Sequence, residues 1–433
     1  MELSNSKVDG NIATIETLLR QGGVYDVEKF AKQRPEISNP EDHFIFFHGD
    51  LGTGDRIQTA QLRRSLEKTI RLRLQNVIFI PGLFHIKMAC ADGIWRIFLE
   101  PREARSDETS FFSLLPALRP GDTSKIAGGT CGYQILNESI IHIGRAERLG
   151  WWEKIIEENV PGCKTLDEFA EREPSWDAIE KLAVSLAKHV SSKRLREIRK
   201  KPDKKRDYQY ENTLRRTQYF LLYEETAHSI RSGDVGRVET CLRKWIPIFK
   251  GVGKHKYAAM LLQFLTDVHF VYPPSLSKSI RYNWFCNISG KEMKCQGQDW
   301  LVELNNWLTK GIYGGHGSNN TVDRVVKESV LIQLFRDIIC IIERQFGINP
   351  KLTRHGEPDM RSTYTELRRL MRESNMFNCM EGRKTAHLIR DAVEAGMYRF
   401  ASESSAQADD ILDNSNESEQ AVTEEDIIME SVI

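Results

Sequence analysis

Two short runs of large apolar side chains, residues 43–48 (HFIFFH) and 76–80 (NVIFI), limit this chain more than any other feature in it. Each is long enough for one strand and too short for a helix. Neither alternates apolar with polar residues along its length, which predicts strands buried on both faces. Between them, residues 56–74 place Leu62, Leu66, Ile70 and Leu74 at four-residue steps, the spacing of a helical stripe. The stretch GDLGTGDR before that stripe reads as a turn, and Asp55 as a cap for the helix that follows. Pro81 stops the second run, and residues 83–99 read as a nearly all-apolar helix carrying His85, Lys87 and Asp92. An amphipathic helix over 8–20 stands in front, with Ile12, Ile15, Leu18 and Leu19 on one side. Helix, strand, helix, strand, helix is the order of an α/β unit.

The rest of the chain has a different texture. A Gly/Thr/Ser-rich loop over 121–132 is followed by helical patterns to about Val190, then a basic run, then helical patterns again from Tyr208 to about Phe400. The expected fold class is therefore α/β but predominantly helical. The expected division is an α/β core over 1–135, a helical segment over 136–215 and a helical domain over 216–400. An acidic, disordered tail is expected over 401–433. Across 433 residues, 40% hydrophobic and 28% charged, there is enough apolar material for a sizeable core. This excludes a collagen-like, largely disordered or disulfide-scaffold protein. No apolar run reaches the roughly 18 residues needed to cross a bilayer. The first ten residues lack the features of a secretory signal, so an intracellular protein without a membrane partner is expected. The eight cysteines form no CxxC pair. They read as buried reduced thiols.

The formal net charge is zero, yet residues 402–433 hold 10 acids and no Lys or Arg, leaving 61 basic against 51 acidic residues in the body. A basic body suits a polyanion such as DNA, and an acidic tail can shield it; a solvated surface is the plainer alternative. The charge is densest over 193–206, where Lys193, Arg194, Arg196, Arg199, Lys200, Lys201, Lys204, Lys205 and Arg206 stand among 14 residues. That run could contact a phosphate backbone, act as a nuclear-import signal, or simply face water.

Three places invite chemistry. Asp50 directly follows the first apolar run. Two carboxylates beside its Gly-rich turn, with no GK[ST] ending, argue against a phosphate loop and for a hard cation such as Mg²⁺ or Mn²⁺, unless Asp50 only stabilises the turn. His85 stands at a helix start after the second run, as a ligand, a proton shuttle or a hydrogen-bonded core histidine. Asp92, two turns on, is too far to pair with it directly. Asp299 and Glu303 lie one helical turn apart among Trp300, Leu301, Leu304 and Trp307, where partial burial is plausible and a metal site could be completed. A fourth stretch, residues 313–320 (YGGHGSNN), reads as a helix–helix loop that could meet a phosphate.

These residues carry a resemblance. HGDLGTGDRIQTAQLRRS followed by VIFIPGLFHIKMACADGIWRIF resembles the core of a fungal family, domain of unknown function 6589. VDGNIATIE (8–16), IRSGDVGRVETCLRKWIPIFKGVGKHKYA (230–258), NWFCNISGK (283–291) and DWLVELNNWLTKGIYGGHGSN (299–319) follow the same family in the same order. The order of an Asp ending a strand and a His on the helix after the next strand is in turn similar to DDE transposases with an RNase H-like core. That resemblance implies a truncated RNase H-like core with a large helical insertion. In it Asp50 is an acidic metal ligand, His85 the helix histidine and Glu303 the late acid, serving Mg²⁺ or Mn²⁺. The first catalytic Asp of that pattern would precede residue 8, where the chain has none to offer. The expected protein is transposon-derived, catalytically degenerate, able to bind DNA and nuclear. The alternatives are a helical protein-interaction module and a live metal-dependent nuclease.

Overall fold

β1 (Ile45–Gly49) and β2 (Val77–Pro81) pair in parallel, in register from Ile45 against Val77 to Gly49 against Pro81. They form a two-stranded sheet in a computed structural model that describes residues 7–21, 43–313, 321–328, 331–347 and 359–405. The ladder runs one step past each end. Ile45 donates its amide to the Asn76 carbonyl (2.8 Å), and Gly82 donates to the Gly49 carbonyl (2.9 Å). Helix α1 (Val8–Gln21) precedes β1, and α2 (Leu51–Arg63) connects the strands. The longer helices that follow are α3 (Leu83–Phe98), α4 (Tyr133–Asn159), α5 (Trp176–His189), α6 (Ser192–Arg199), α7 (Tyr208–Ser232), α8 (Val235–Gly251), α9 (His255–Thr266) and α10 (Pro274–Tyr282). A two-residue antiparallel ladder, β3 (Phe285–Cys286) with β4 (Gln296–Gly297), leads into α11 (Trp300–Tyr313). Helices α12 (Ile332–Gln345), α13 (Arg361–Glu373) and α14 (Ala392–Ser405) complete the series.

The chain divides into two compact units that interleave in sequence. The first comprises 1–86, 230–235 and 259–352; the second comprises 87–229, 236–258 and 353–433. The boundaries expected at 135 and 215 fall inside continuous helices, α4 and α7. Predominantly helical structure is what the patterns implied. The described residues hold two parallel strands and a separate two-residue antiparallel ladder, which does not establish the RNase H-like core that the resemblance implies. The acidic tail beyond Ser405 and the stretch 314–320 lie outside the described residues, and α14 carries helix to Ser405, past the expected start of that tail. Among the described residues no helix is long and apolar enough to cross a membrane.

In the first unit, the apolar faces of α1 and α2 meet the sheet through Ile15, Leu19, Ile57, Ala60, Leu74 and Val77. Here the helix expected from about Arg56 is displaced. Asp50, extended at φ −71° and ψ 171°, accepts the Thr53 amide on its side chain at 2.6 Å and starts α2 at Leu51, inside the stretch read as a turn. Gly54 lets that first turn lie against β2, since a Cβ there would stand 2.5 Å from the Phe79 ring. Asp55 is consequently an exposed residue within α2 rather than its cap. The helix ends at Arg63, so the Leu62–Leu66–Ile70 stripe is not a buried face: Leu66 is 97% exposed. Leu74 alone of that set is buried, reached through a turn that holds it at φ 57°.

The second unit is all helix, packed around Trp151, Trp245, Phe111 and Phe220. The two indoles donate to threonine hydroxyls, Trp151 to Thr217 and Trp245 to Thr226, each at 2.9 Å. Buried charges are matched by arginine. Arg216 donates to Glu147 (2.9 Å) and to the Thr109 carbonyl (2.6 Å), and the Thr217 hydroxyl also bonds Glu147. Arg383 grips Asp207 through two nitrogens at 2.9 and 2.8 Å. Four cysteines, Cys90, Cys131, Cys163 and Cys241, are buried as expected. Cys379 is exposed, and Cys286 and Cys295 are intermediate.

Candidate functional site

The carboxyl ends of parallel strands are where α/β sheets place their ligands, because the loops leaving them diverge and the following helices point their amino ends there. In this chain Asp50 leaves β1 and His85 stands in the first turn of α3, just after β2. The third contributor comes from far along the sequence. Asp299, immediately before α11, is 2% exposed and sits on the amino end of α3. It accepts the backbone amides of Phe84 (3.2 Å) and His85 (3.1 Å) and the Nδ1 of the His85 ring (2.9 Å). It is a helix cap supplied from a distant part of the same chain, and its negative charge meets the positive end of the α3 dipole.

Local sequence explains why Asp299 fits. Gly82 and Gly297 flank it, and a Cβ on either would lie 2.1 Å from Oδ2 or 2.5 Å from Oδ1. The segment carrying Asp299 is anchored to the end of β2 through Trp284. Its buried indole donates to the Pro81 carbonyl (2.8 Å), and its own carbonyl accepts the Gln298 amide (3.1 Å). One helical turn past Asp299, the Glu303 carboxylate lies 4.0 Å from His85 Nε2. His85 therefore stands between two carboxylates, with its side chain 16% exposed.

Electrostatics follow from that placement. Burial by itself pulls the His85 imidazolium down. The Asp299 hydrogen bond and charge, aided by the charges of Asp50 and Glu303, more than offset it, so its pKa is raised above 6.5. His48, the last side chain of β1 but one, behaves oppositely. Burial lowers it to about 4 despite the charge of Asp299, and its Nδ1 is buried without a hydrogen-bond partner. The neighbouring carboxylates thus favour the imidazolium form at His85, while burial favours the neutral ring at His48.

Of the sequence-predicted residues, His85 and Glu303 approach to 4.0 Å, while Asp50 acts on His85 through its charge alone. The spacing argument underrated Asp299, which makes the closer contact. The signal available for it was a pair of glycines, Gly82 and Gly297, whose purpose is invisible until the fold brings them together. Asp92 does not pair with His85, as expected; it takes Arg96 and Lys254, each at 2.9 Å. The set fits a divalent cation poorly. Three of the electron pairs Asp299 could offer are taken by N–H donors, and Asp50 accepts the Thr53 amide. Among the described residues no three His, Cys, Asp or Glu side chains are arranged to hold a metal ion.

The basic run sorts into two populations. Lys193, Arg194, Arg196, Lys200, Lys201, Lys204 and Lys205 are exposed. Arg199 and Arg206 turn inward onto the fully buried Glu211, Arg199 at 3.1 Å and Arg206 at 2.8 and 2.7 Å. A buried carboxylate needs such donors, so these two arginines serve the fold instead of a ligand.

Comparison with known proteins gives one match. A family model described as a family of unknown function (DUF6589) covers residues 1–355. No curated protein and no solved structure matches the chain.

Proposed function

The chain belongs to the DUF6589 family, and on that premise we propose that it is a fungal, transposon-derived, RNase H-like protein whose acid cluster has lost phosphodiester chemistry and which acts by binding DNA in the nucleus. One observation carries this reading. Acids from positions 50, 299 and 303 converge at the carboxyl ends of two parallel strands, around the histidine that follows the second strand. Convergence over some 250 residues is what a DDE-type site requires. The internal hydrogen bonding of Asp299 is what a retired site would retain, since its donors balance an acid that a pair of cations would otherwise balance.

DNA binding is assigned to the exposed basic face of α6. Lys193, Arg196 and Lys200 share one side of that helix and its cap, with Glu197 beside them, while Leu195 and Ile198 face inward. Each phosphate neutralised releases a counterion, so affinity falls steeply with salt.

Two measurements test the proposal. A Mg²⁺- or Mn²⁺-dependent cleavage assay on labelled DNA is expected to show no cleavage above background. Cleavage that Asp50→Asn or Glu303→Gln abolishes would instead establish a live nuclease with Asp50 and Glu303 as ligands. Duplex binding followed by anisotropy is expected to weaken on raising salt, and further in a Lys193→Glu, Arg196→Glu, Lys200→Glu variant. Binding that is absent, or indifferent to both changes, would leave a helical protein-interaction module.

A further inference from the structure

A cavity in the first unit has a different character from the acid cluster. It encloses about 700 Å³, within the roughly 300–1,000 Å³ typical of ligand pockets. Its wall is built by α10 and by a π-helical turn, Asp267–Val271, that follows α9. Such turns widen a helix and displace side chains from their regular positions, and they concentrate at functional sites. The Ser277 hydroxyl ties α10 to this turn through the Val268 carbonyl (2.7 Å).

The lining is aromatic and cationic: His269, Tyr272, Tyr282 and Phe285, with Lys278 and Arg281. No carboxylate lines it among the described residues. Lys278, Arg281 and Tyr282 fall at helical spacing on one side of α10, and the Lys278 ammonium stands 5.7 Å from the Tyr282 ring centroid. Tyr282 is 73% exposed, and Phe270 on the adjoining turn is 86% exposed. Large aromatic rings held open to water beside fixed cations are not needed by the core. They provide flat faces for stacking and positive charge for an anion on the same short stretch of surface.

We propose that this cavity binds unpaired nucleotides of a single-stranded nucleic acid, with Tyr272 and Tyr282 as stacking platforms and Lys278 and Arg281 meeting the phosphates. A duplex hides its base faces within its own stack, so only an unpaired base can use the rings. An acidic peptide would satisfy the cations and leave the rings without their flat partner. The site is separate from the basic face of α6, and its ligand is a different form of nucleic acid from the duplex assigned there.

The test uses the full chain and a short fluorescein-labelled oligothymidylate, read by anisotropy near physiological salt. Tyr282→Ala is expected to weaken binding roughly tenfold, the loss of one stacked base. Tyr282→Phe, which keeps the ring, is expected to stay within about twofold of wild type, and Lys278→Glu to weaken binding and flatten its salt dependence. Duplex binding is expected to be unchanged by either tyrosine variant, so failure here is distinguishable from failure of the α6 face. Equal oligothymidylate affinity in wild type and Tyr282→Ala would overturn the proposal. So would an acidic peptide that binds where the oligonucleotide does not. Tyr282 is exposed, so its truncation leaves the fold intact.

Discussion

The two units solve the same problem, a buried carboxylate, with different cations, and the choice decides what each can respond to. In the second unit Glu147, Asp207 and Glu211 are each gripped by arginine, a planar fork that stays charged at any pH the protein survives. In the first unit Asp299 is matched by an imidazole and two backbone amides. An imidazole can surrender its proton near neutrality. Those three carboxylates of the second unit are therefore held by partners that do not titrate, whereas Asp299 of the first is held in part by one that does; the second unit titrates instead at histidines such as His142, lowered to about 4 by burial.

The largest expected effect lies on the arginine side. Arg216→Ala strands Glu147, which is 1% exposed, and should cost about 3–5 kcal/mol of stability in urea unfolding. A loss below about 1 kcal/mol would show that water reaches Glu147 and that the unit is less tightly sealed than its geometry indicates. Next is Asp299→Ala, which deprives two amides and a ring nitrogen of their acceptor and should cost about 3 kcal/mol. Hydrogen exchange provides the local readout, because the Phe84 and His85 amides should lose protection.

Smaller effects separate the two histidines by the sign of their pH dependence. His85 has its folded pKa raised above 6.5, so it binds more protons folded than unfolded. Its contribution is fully present below about 6.5 and disappears as pH rises through the folded value. His48, lowered to about 4, contributes above 6.5 and loses that contribution as pH falls toward 4. His85→Gln should flatten the alkaline limb of a stability–pH curve and leave the acid limb in place, and His48→Gln should lessen the acid limb, to which His142, also lowered to about 4, contributes as well. If both variants kept both limbs, the titrating groups would lie elsewhere. Asp50→Ala, the loss of the α2 cap, should cost about 1 kcal/mol. Leu66→Ser, despite its place in an apparent helical stripe, should change stability by less than about 0.5 kcal/mol because the side chain is in water.

What the sequence made legible follows the same division between local and distant causes. β1, β2, α1 and α3 were readable to within a residue or two, because apolar runs and apolar helix faces leave their signature in adjacent residues, although β1 is only partly buried where burial on both faces was expected. The start of α2 was misplaced because glycines look like a turn until the Phe79 ring that needs Gly54 is in view. Asp50 and His85 could be named from their positions relative to strands and helices, while Glu303 was singled out from its neighbour Asp299 only by the resemblance. The dominance of Asp299 could not be read in this way, since it depends on a contact across 215 residues. Likewise a count of basic residues over 193–206 could not separate Arg199 and Arg206 from their neighbours. Their partner, Glu211, lies in the next helix, and only the path of the intervening chain shows which side chains it reaches.

That distance between Phe84 and Asp299 has a consequence for biosynthesis. The amino end of α3 emerges from the ribosome 215 residues before the carboxylate that completes it. At about 5–20 residues per second, the interval is roughly 10–40 s. Through that delay the nascent strands and the open helix end stay without their closing piece, while the whole of 87–229 is translated. Most of the second unit is translated before the first is complete, so chaperones have a long opportunity to engage the first.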